Sequence, residues 1–234
     1  MNPTPSHLPD LRHDYPLRDL NTFGIAANAK AYARINSVAD LQAVWADPAL
    51  SAMPRLVLGG GSNLLLTQDF GGLVLHMTGT GIMLDGEDDQ FRYVSAQAGE
   101  NWHAFVQWTL ANDCPGLENL SLIPGTVGAS PIQNIGAYGH EVSEFITQVR
   151  TFDRQTQEIK TFTNSECQFS YRNSFFKQAQ GRYIVIAVSF QLRIGEETTP
   201  IKYEELATHL GVKVGEKVSL AAARKAVLEI RARK

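Results

Sequence analysis

The amino-acid sequence predicts an α+β protein built from two lobes. One helix pattern, followed by short apolar segments bounded by glycine, is typical of a small α/β lobe over residues 1–78. Three extended apolar segments follow residue 145 and indicate an antiparallel sheet in a larger α+β lobe over residues 79–215. A last helix pattern occupies residues 216–234. With 234 residues, the chain is long enough to bury a sizeable core.

The first lobe is predicted to contain one helix and two buried strands. In NSVADLQAVWAD, Ser37 with Asp40 three positions later forms an N-terminal cap. Leu41, Val44 and Trp45 then recur at helical spacing. The segments RLVL and GLVLHM are short, apolar and bordered by glycine, which favours buried strands.

The second lobe is predicted to combine a helix with extended segments. FRYVSAQAG predicts a strand, and GENWHAFVQWTLAND predicts a helix because its apolar residues fall on one face. ITQVRTFD, EIKTFT and RYIVIAVSFQL predict three strands of an antiparallel region. Ser219 caps the last helix, whose apolar face comprises Leu220, Ala223, Val227 and Ile230.

Composition and charge restrict the partners and the compartment. A net charge of -3 gives no reason to expect a nucleic acid or an anionic membrane as partner. There is no apolar run of roughly 18 residues and no signal-peptide pattern, so we expect a cytoplasmic protein. Cys114 and Cys167 lie far apart without ligand-like neighbours, which favours two free thiols over a disulfide and predicts no metal site.

The first glycine-rich stretch, LVLGGGSNLLL, is tested against known phosphate-binding loops. A P-loop needs a lysine and then a hydroxyl residue after its last glycine, but here Ser62 follows Gly61 directly and is followed by Asn63 and Leu64, so the lysine is missing. Gly59 and Gly61 meet half of a dinucleotide fingerprint, but Leu64 stands in the place of its third glycine. What remains is a tight loop of consecutive amides with Ser62 and Asn63, which can hold a pyrophosphate, or an ordinary glycine turn.

The second glycine-rich stretch, LENLSLIPGTVGASPIQNIGAYG, carries hardly a charge. Solvated loops are seldom built in this way, whereas loops along a ligand use glycine to bring backbone amides close. Two such stretches in one chain favour a large cofactor with phosphates and an apolar ring. A loop that only packs inside the protein remains the alternative.

Four motifs, NTFGI, GGGSNLLL, PGLENLSLIPGTVGASPIQNIGAYG and CQFSYRNSFFK, occur in an order that resembles a known family. The chain from about Asn21 to Lys234 is similar to the UDP-N-acetylenolpyruvoylglucosamine reductases, flavoenzymes of bacterial peptidoglycan synthesis. The resemblance implies a two-lobed FAD-binding fold of the vanillyl-alcohol-oxidase (PCMH) type, with FAD bound noncovalently between the lobes.

The resemblance also implies which residues bind the cofactor. The FAD pyrophosphate is expected to be wrapped by Gly59, Gly60, Gly61, Ser62, Asn63 and Leu64. A β-branched side chain at Gly61 is expected to fill the space of that pyrophosphate and abolish binding. The second stretch is expected to run beside the flavin, with the amides near Ser130, Ile132, Gln133 and Gly136 closest. Its cofactor-binding residues are expected to be Gly125, Gly128, Ala129, Ser130, Ile132, Gln133, Asn134, Gly136 and Tyr138.

The implied reaction uses NADPH to reduce UDP-N-acetylglucosamine enolpyruvate to UDP-N-acetylmuramate. Arg172 matches the arginine that stabilises the negative charge spreading into the substrate carboxylate. Without the resemblance, Arg172 would be interpreted as a surface arginine at a strand end. Tyr203 matches a residue that reaches the substrate diphosphate, although a half-buried aromatic anchor is an alternative. Lys234 matches a lysine that contacts substrate phosphate.

The chain departs from the family where it ends. The family carries its proton donor in a third domain after the last helix, so we expect these 234 residues to keep FAD but to make essentially no product. We expect the protein to be a monomer. We also expect the apolar face of the last helix, from about Lys217 onward, to be poorly ordered or to pack on a neighbouring molecule. Two alternatives remain, a flavin-binding module without catalysis and a flavin oxidase of the same fold. Many such oxidases attach FAD through histidine or cysteine, and no histidine lies within the two glycine-rich motifs.

Overall fold

The computed structural model describes residues 9–179 and 181–233. The first lobe is a four-stranded sheet in the order β1-β2-β4-β3. Its strands are β1 (Leu11–Pro16), β2 (Asn28–Ile35), β3 (Arg55–Leu58) and β4 (Phe70–Met77). The β1–β2 pair is antiparallel, whereas β4 runs parallel to both β2 and β3. The two predicted strands of this lobe are confirmed as β3 and β4.

Two helices pack with this sheet, α1 (Val38–Ala46) and α2 (Pro48–Ala52). Ser37 accepts a hydrogen bond from the Asp40 amide, and the Asp40 carboxylate accepts one from the Ser37 amide. This reciprocal pair satisfies amide groups that the first helical turn leaves free. The predicted N-terminal cap is therefore confirmed, and so is the apolar face, because Leu41, Val44 and Trp45 are buried.

The second lobe is a five-stranded antiparallel sheet in the order β10-β9-β11-β6-β5. Its strands are β5 (Ile82–Glu87), β6 (Phe91–Gln97), β9 (Ile146–Asp153), β10 (Ile159–Thr163) and β11 (Tyr183–Arg193). A separate hairpin joins β7 (Gly136–Ala137) to β8 (His140–Glu141). The predicted antiparallel region is confirmed by β9, β10 and β11.

Four helices belong to this second part of the chain: α3 (Trp102–Ala111), α4 (Phe175–Gln178), α5 (Glu204–Leu210) and α6 (Leu220–Ala232). The predicted helix α3 is confirmed, and its N-cap Asn101 accepts a hydrogen bond from the Ala104 amide. Trp102 and Phe105 of α3 pack on Phe190 of β11, with ring centroids 6.4 and 4.8 Å apart. These aromatic contacts form the centre of the second lobe's core.

One apolar cluster joins the two lobes. Trp45 of α1 meets Phe152 of β9 edge to face, with ring centroids 5.2 Å apart. Ile184 and Ile186 of β11 belong to the same buried cluster as Leu73 and other residues of the first sheet. The lobes therefore share part of their core, and the α+β fold class predicted from the sequence is confirmed.

The last helix has a partner within the same chain. All four residues of its predicted apolar face are buried. Val227 and Ile230 share a cluster with Leu206 and Ala207 of α5. The apolar face is therefore covered from within the chain, and packing on a neighbouring molecule, one of the two expected outcomes, is not needed to bury it. That partner is hard to recognise in the sequence because α5 is only seven residues long and has just three apolar residues, Leu206, Ala207 and Leu210.

Both cysteines are buried free thiols, as predicted. Burial raises the pKa of Cys167 to about 12, so its thiol stays protonated at neutral pH. Over residues 9–179 and 181–233, no helix combines the length and apolarity needed to cross a bilayer.

Candidate functional site

The two glycine-rich stretches lie against each other. A Cβ added to Gly60 would lie 3.0 Å from the Cα of Gly125, and one added to Gly59 would lie 2.7 Å from Oγ1 of Thr126. In return, a Cβ on Gly125 would lie 3.3 Å from Oγ of Ser62. Glycine is thus needed here so that two backbones can touch, and loops distant in the sequence form one continuous surface.

Gly61 has a different partner from the one expected. Its φ is +63°, a left-handed conformation that favours glycine, and an added Cβ would lie 1.9 Å from the carbonyl oxygen of Leu20. The missing side chain therefore leaves room for the protein's own backbone. The expectation that a side chain at Gly61 would fill the pyrophosphate space is wrong, because that direction is occupied by Leu20.

The NTFGI motif forms the turn that packs against Gly61. The buried Asn21 donates through Nδ2 to the carbonyls of Leu17 at 2.8 Å and Ile25 at 3.0 Å. Its Oδ1 accepts from the Ile25 amide at 3.0 Å, and the Thr22 amide donates to the Gly61 carbonyl at 3.2 Å. A single amide side chain thereby fixes the turn that supports the glycine loop.

The first glycine loop offers a run of free amides. Within the described part of the chain, the backbone amides of Gly60, Gly61, Ser62 and Asn63 donate to no protein acceptor. Unpaired amides at a bend form a concavity that binds phosphate oxygens without lysine. The loop thus has the donor set that a diphosphate requires. Leu64 follows it, half-buried, and packs beside the cluster that contains Leu58 and Leu66.

The second stretch uses several of its polar groups internally. Residues Val127–Ala129 form one short helical turn. At its end, the Val127 carbonyl accepts hydrogen bonds from the Ser130 amide at 3.0 Å and from Oγ of Ser130 at 2.8 Å. The Ile132 amide donates to the Ala129 carbonyl at 3.3 Å. The turn therefore consumes the amides of Ser130 and Ile132, two of those expected to lie closest to the flavin, and leaves neither free as a donor. Within the described ranges, the amide of Gln133 has no such acceptor.

Asn134 is a scaffold residue. It is fully buried, and its Nδ2 donates to the Glu141 carboxylate at 2.7 Å and to the Ser170 carbonyl at 3.1 Å. Its Oδ1 accepts from the Ser143 amide at 3.1 Å. Asn134 was predicted to bind the cofactor, and its side chain ties together three segments of the second lobe.

An apolar cleft of about 250 Å³ opens between the lobes beside the glycine loop. Val57 and Met77 line it from the first sheet, while Phe176 and Tyr183 line it from the second lobe. Four predicted cofactor residues also line it: Gly59, Gly128, Ala129 and Ile132. A cleft with apolar walls next to free amides matches a ligand with an aromatic ring and a diphosphate, so the residues present fit FAD.

A second pocket, of about 570 Å³, lies at the β7–β8 hairpin. It brings together the predicted residues Gly136, Tyr138, Arg172 and Tyr203. Arg172 donates through Nη2 to the Gly136 carbonyl at 2.9 Å. Lys177 donates to the Arg172 carbonyl at 3.0 Å. Arg172 is thus exposed but held at the pocket wall, and the remaining N–H donors of its guanidinium are available for a carboxylate.

Tyr203 stands opposite the hairpin. Its ring meets that of Tyr138 edge to face, with centroids 5.5 Å apart, and 40% of the residue is exposed. It is therefore both an anchor for Tyr138 and a group that faces the pocket. Lys234 lies outside the described residues.

Two residues that line this pocket, Tyr171 and His140, and one neighbour of its wall, Arg231, were missed from the sequence. Tyr171 lines it and is 81% exposed. Arg231 of α6 lies with its guanidinium carbon 5.5 Å from the centre of the Tyr138 ring. The buried His140 contacts the Glu144 carboxylate at 3.0 Å, and burial lowers the pKa of this histidine. The adjacency of Tyr171 to Arg172 could have indicated the first, but only the tertiary fold brings in the others.

The Glu144 carboxylate also tethers the segment that carries Tyr203. Lys202 donates to it at 2.8 Å, and a Cβ added to Gly139 would lie 2.9 Å from Cβ of Lys202. Burial raises the pKa of Glu144, but hydrogen bonds led by that of Lys202 outweigh this effect and lower it overall. The carboxylate is therefore charged at neutral pH and holds Lys202 against the hairpin.

Comparison with known proteins gives the same assignment. Residues 29–162 match the model of a family described as FAD binding domain. A UDP-N-acetylenolpyruvoylglucosamine reductase from Burkholderia mallei (strain NCTC 10229) is 49% identical over 211 residues, covering 89% of this chain and 60% of the relative. The reductase of the same name from Burkholderia orbicola (strain MC0-3) is 51% identical over 180 residues, covering 76% and 52%. The chain thus spans little more than half the length of these curated relatives.

Solved structures agree on the fold. The UDP-N-acetylenolpyruvylglucosamine reductase from Thermus caldophilus superimposes with a TM-score of 0.66 at 21% identity, covering 96% of this chain and 68% of that one. A cholesterol oxidase from Brevibacterium sterolicum gives 0.57 at 15% identity, covering 91% and 46%. At these identities the likeness concerns the fold alone. Because the family match covers more than half of the chain, the protein belongs to the FAD-binding domain family and is a homologue of the UDP-N-acetylenolpyruvoylglucosamine reductases.

Proposed function

We propose that this chain binds FAD noncovalently and acts, in the cytoplasm, in the NADPH-dependent reduction of UDP-N-acetylglucosamine enolpyruvate to UDP-N-acetylmuramate. The observation that carries the proposal is the joint surface of the two glycine-rich stretches, with free amides at the mouth of an apolar cleft. The names of the similar reductases supply the reaction.

The cofactor is assigned to the cleft by its chemistry. The diphosphate is bound by four backbone amides, those of Gly60, Gly61, Ser62 and Asn63. The flavin ring lies against the apolar walls of the cleft, which include Val57 and Tyr183. Bound there, FAD supplies the hydride chemistry that the reduction requires. Within the described residues, no histidine or cysteine lines the cleft, which favours noncovalent binding over covalent attachment.

Arg172 is assigned to the substrate carboxylate. Arginine stays protonated and can grip a carboxylate through two parallel hydrogen bonds. During reduction, negative charge develops next to that carboxylate, and a fixed cation stabilises it. Its hydrogen bond to the Gly136 carbonyl orients the guanidinium before substrate binds. Tyr203, across the pocket, is assigned to the substrate diphosphate, and Lys234 to substrate phosphate on the sequence match alone.

Absorbance spectroscopy of the purified chain tests the cofactor assignment. We expect a flavin spectrum, or its appearance on reconstitution with FAD, and release of the flavin by acid or heat. A colourless protein that cannot be reconstituted would contradict the proposal. Flavin that stays with the denatured chain would instead indicate a covalent flavin oxidase of the same fold.

An activity assay tests the reaction itself. NADPH oxidation is followed with and without the enolpyruvyl nucleotide, and product is identified by mass spectrometry. Substrate-dependent oxidation with formation of UDP-N-acetylmuramate would support the assignment of the reaction and would overturn the expectation that these 234 residues alone make essentially no product. Binding of FAD without any response of its spectrum to the nucleotide would favour a flavin-binding module.

A further inference from the structure

Thr126 lies where the two glycine-rich stretches meet, with its hydroxyl beside the first of them. A Cβ added to Gly59 would lie 2.7 Å from Oγ1 of Thr126. At the same contact, a Cβ added to Gly125 would lie 3.3 Å from Oγ of Ser62. Both Gly59 and Thr126 line the apolar cleft between the lobes. The Thr126 hydroxyl is therefore found where the cleft meets the loop with the free amides.

Backbone hydrogen bonds hold Thr126 against the start of α3. It forms an isolated antiparallel bridge with Asn101. The hydrogen bonds of this bridge belong to the residues on either side, as in the bond of 3.1 Å from the Trp102 amide to the Gly125 carbonyl. In such a pair, the amides of the two facing residues point away from the partner segment. The Thr126 amide therefore points away from Asn101 and, within the described residues, donates to no protein acceptor.

The Thr126 hydroxyl makes no capping hydrogen bond, although it stands at the N-cap of the short helical turn Val127–Ala129. An N-cap hydroxyl commonly accepts a hydrogen bond from the second or third amide of its helix. The second amide, that of Gly128, instead donates to the Ala98 carbonyl at 2.9 Å. The third amide, that of Ala129, donates to the Thr126 carbonyl at 3.1 Å. Backbone carbonyls thus serve both amides, and the hydroxyl is left for another partner.

A free hydroxyl beside free amides favours an anionic ligand group. Within the described part of the chain, Oγ1 of Thr126 has no hydrogen-bond partner, and the half-buried residue can be reached from the cleft. A threonine hydroxyl can rotate its O–H to suit an acceptor. Hydrogen bonds to a charged acceptor such as a phosphate oxygen are stronger than those to a neutral one. The donors of residues 60–63 are therefore extended by one from the second stretch.

We propose that Thr126 binds the cofactor diphosphate directly through its hydroxyl, so that both glycine-rich stretches, and not the first alone, donate to the phosphate oxygens. This inference rests on the FAD site proposed above. It also gives a reason for glycine at position 59, because a side chain there would displace the hydroxyl from the loop. The sequence analysis did not include Thr126 among the cofactor residues, since a single threonine between glycines predicts no role by itself.

The test compares FAD affinities of the whole 234-residue chain, measured by flavin fluorescence. Thr126→Val keeps the branched shape of the side chain but removes the hydroxyl. We expect FAD to bind to it about tenfold more weakly, as for the loss of one hydrogen bond to a charged group. Thr126→Ser keeps the hydroxyl and should bind FAD within about threefold of the unmodified chain. Phosphorus NMR should show shifted diphosphate resonances of bound FAD in Thr126→Val that return in Thr126→Ser.

Riboflavin, which lacks the diphosphate, separates a lost phosphate contact from a damaged cleft. Thr126→Val should bind riboflavin as the unmodified chain does. As a matched control, Thr80→Val removes the hydroxyl of an exposed threonine that does not line the cleft, and it should leave FAD affinity unchanged. Unchanged FAD affinity in Thr126→Val, or equal losses for FAD and riboflavin, would overturn the inference. Failure of the unmodified chain to bind FAD would overturn the proposed cofactor site and this inference with it.

Discussion

Replacement of Gly61 by alanine isolates what the glycine loop contributes. The added Cβ would lie 1.9 Å from the Leu20 carbonyl oxygen, whereas side-chain Cβ atoms essentially never approach closer than 3.0 Å. The loop must therefore move by about 1 Å, the difference between these two distances. Gly24 provides a matched control, because its φ of +62° equals that of Gly61 within a degree and nothing lies within 4 Å of an added Cβ.

The two variants share one energetic term and differ in another. A left-handed conformation costs an alanine roughly 1–2 kcal/mol, so both should lower the free energy of unfolding by at least this amount. Only Gly61→Ala displaces the amides, and a hydrogen bond stretched by about 1 Å is lost. Each hydrogen bond to a charged group contributes about 1.5–3 kcal/mol, so FAD should bind about 10- to 100-fold more weakly.

Urea denaturation and FAD titration measure the two terms separately. We expect Gly24→Ala to lose stability while keeping its FAD affinity, and Gly61→Ala to lose both. Equal FAD affinities in the two variants would refute the reasoning, because the loop would then either tolerate the displacement or make no contact with the cofactor.

Three further predictions concern the rest of the chain. Ile230→Ala, in the interface between α5 and α6, should destabilise the protein by about 2–5 kcal/mol in urea denaturation, whereas the exposed Lys225→Ala should change it little. The hydrogen bond from Arg182 lowers the pKa of Asp153, so its stabilisation is complete above pH about 3.9 and is lost as the pH falls through the folded pKa. Acid unfolding of Asp153→Asn should therefore lack that part of the pH dependence. Arg172→Lys should keep FAD affinity but weaken the spectral response of bound FAD to the enolpyruvyl nucleotide, and an unchanged response would remove Arg172 from the substrate site.

The elements that the sequence predicted are those with local determinants. Ser37 and Asp40 lie three residues apart and mark a helix start without reference to the rest of the chain. The segment RLVL is apolar and ends at glycine, so β3 is recognisable. In contrast, β2 is rich in alanine, and Ala31 and Ala33 are buried in a cluster with residues of α1 and β11 that lie far away in the sequence. Alanine has a low strand propensity, so this central strand could not be recognised locally.

In the candidate site, too, some features follow from local sequence and others depend on contacts between distant residues. The glycine-rich stretches mark the cofactor site, since glycine with few charges is a local pattern. Which glycine faces the ligand and which faces the protein depends on contacts across the chain. Gly61 meets Leu20, and Gly60 meets Gly125, at separations that no sequence pattern encodes. The amide of Ser130 is likewise consumed by a turn that only the folded backbone reveals.

The apolar cluster shared by Trp45, Phe152 and Ile184 has a consequence for how a cofactor enters. Separating the lobes would expose these side chains to water, so the cleft between them is preorganised and does not need to close around its ligand. Binding energy is then not consumed in assembling the walls. The same cluster couples the lobes during unfolding: since neither can lose its structure without uncovering part of the other's core, heat should melt them in one cooperative transition, and a ligand in the cleft should stabilise both at once.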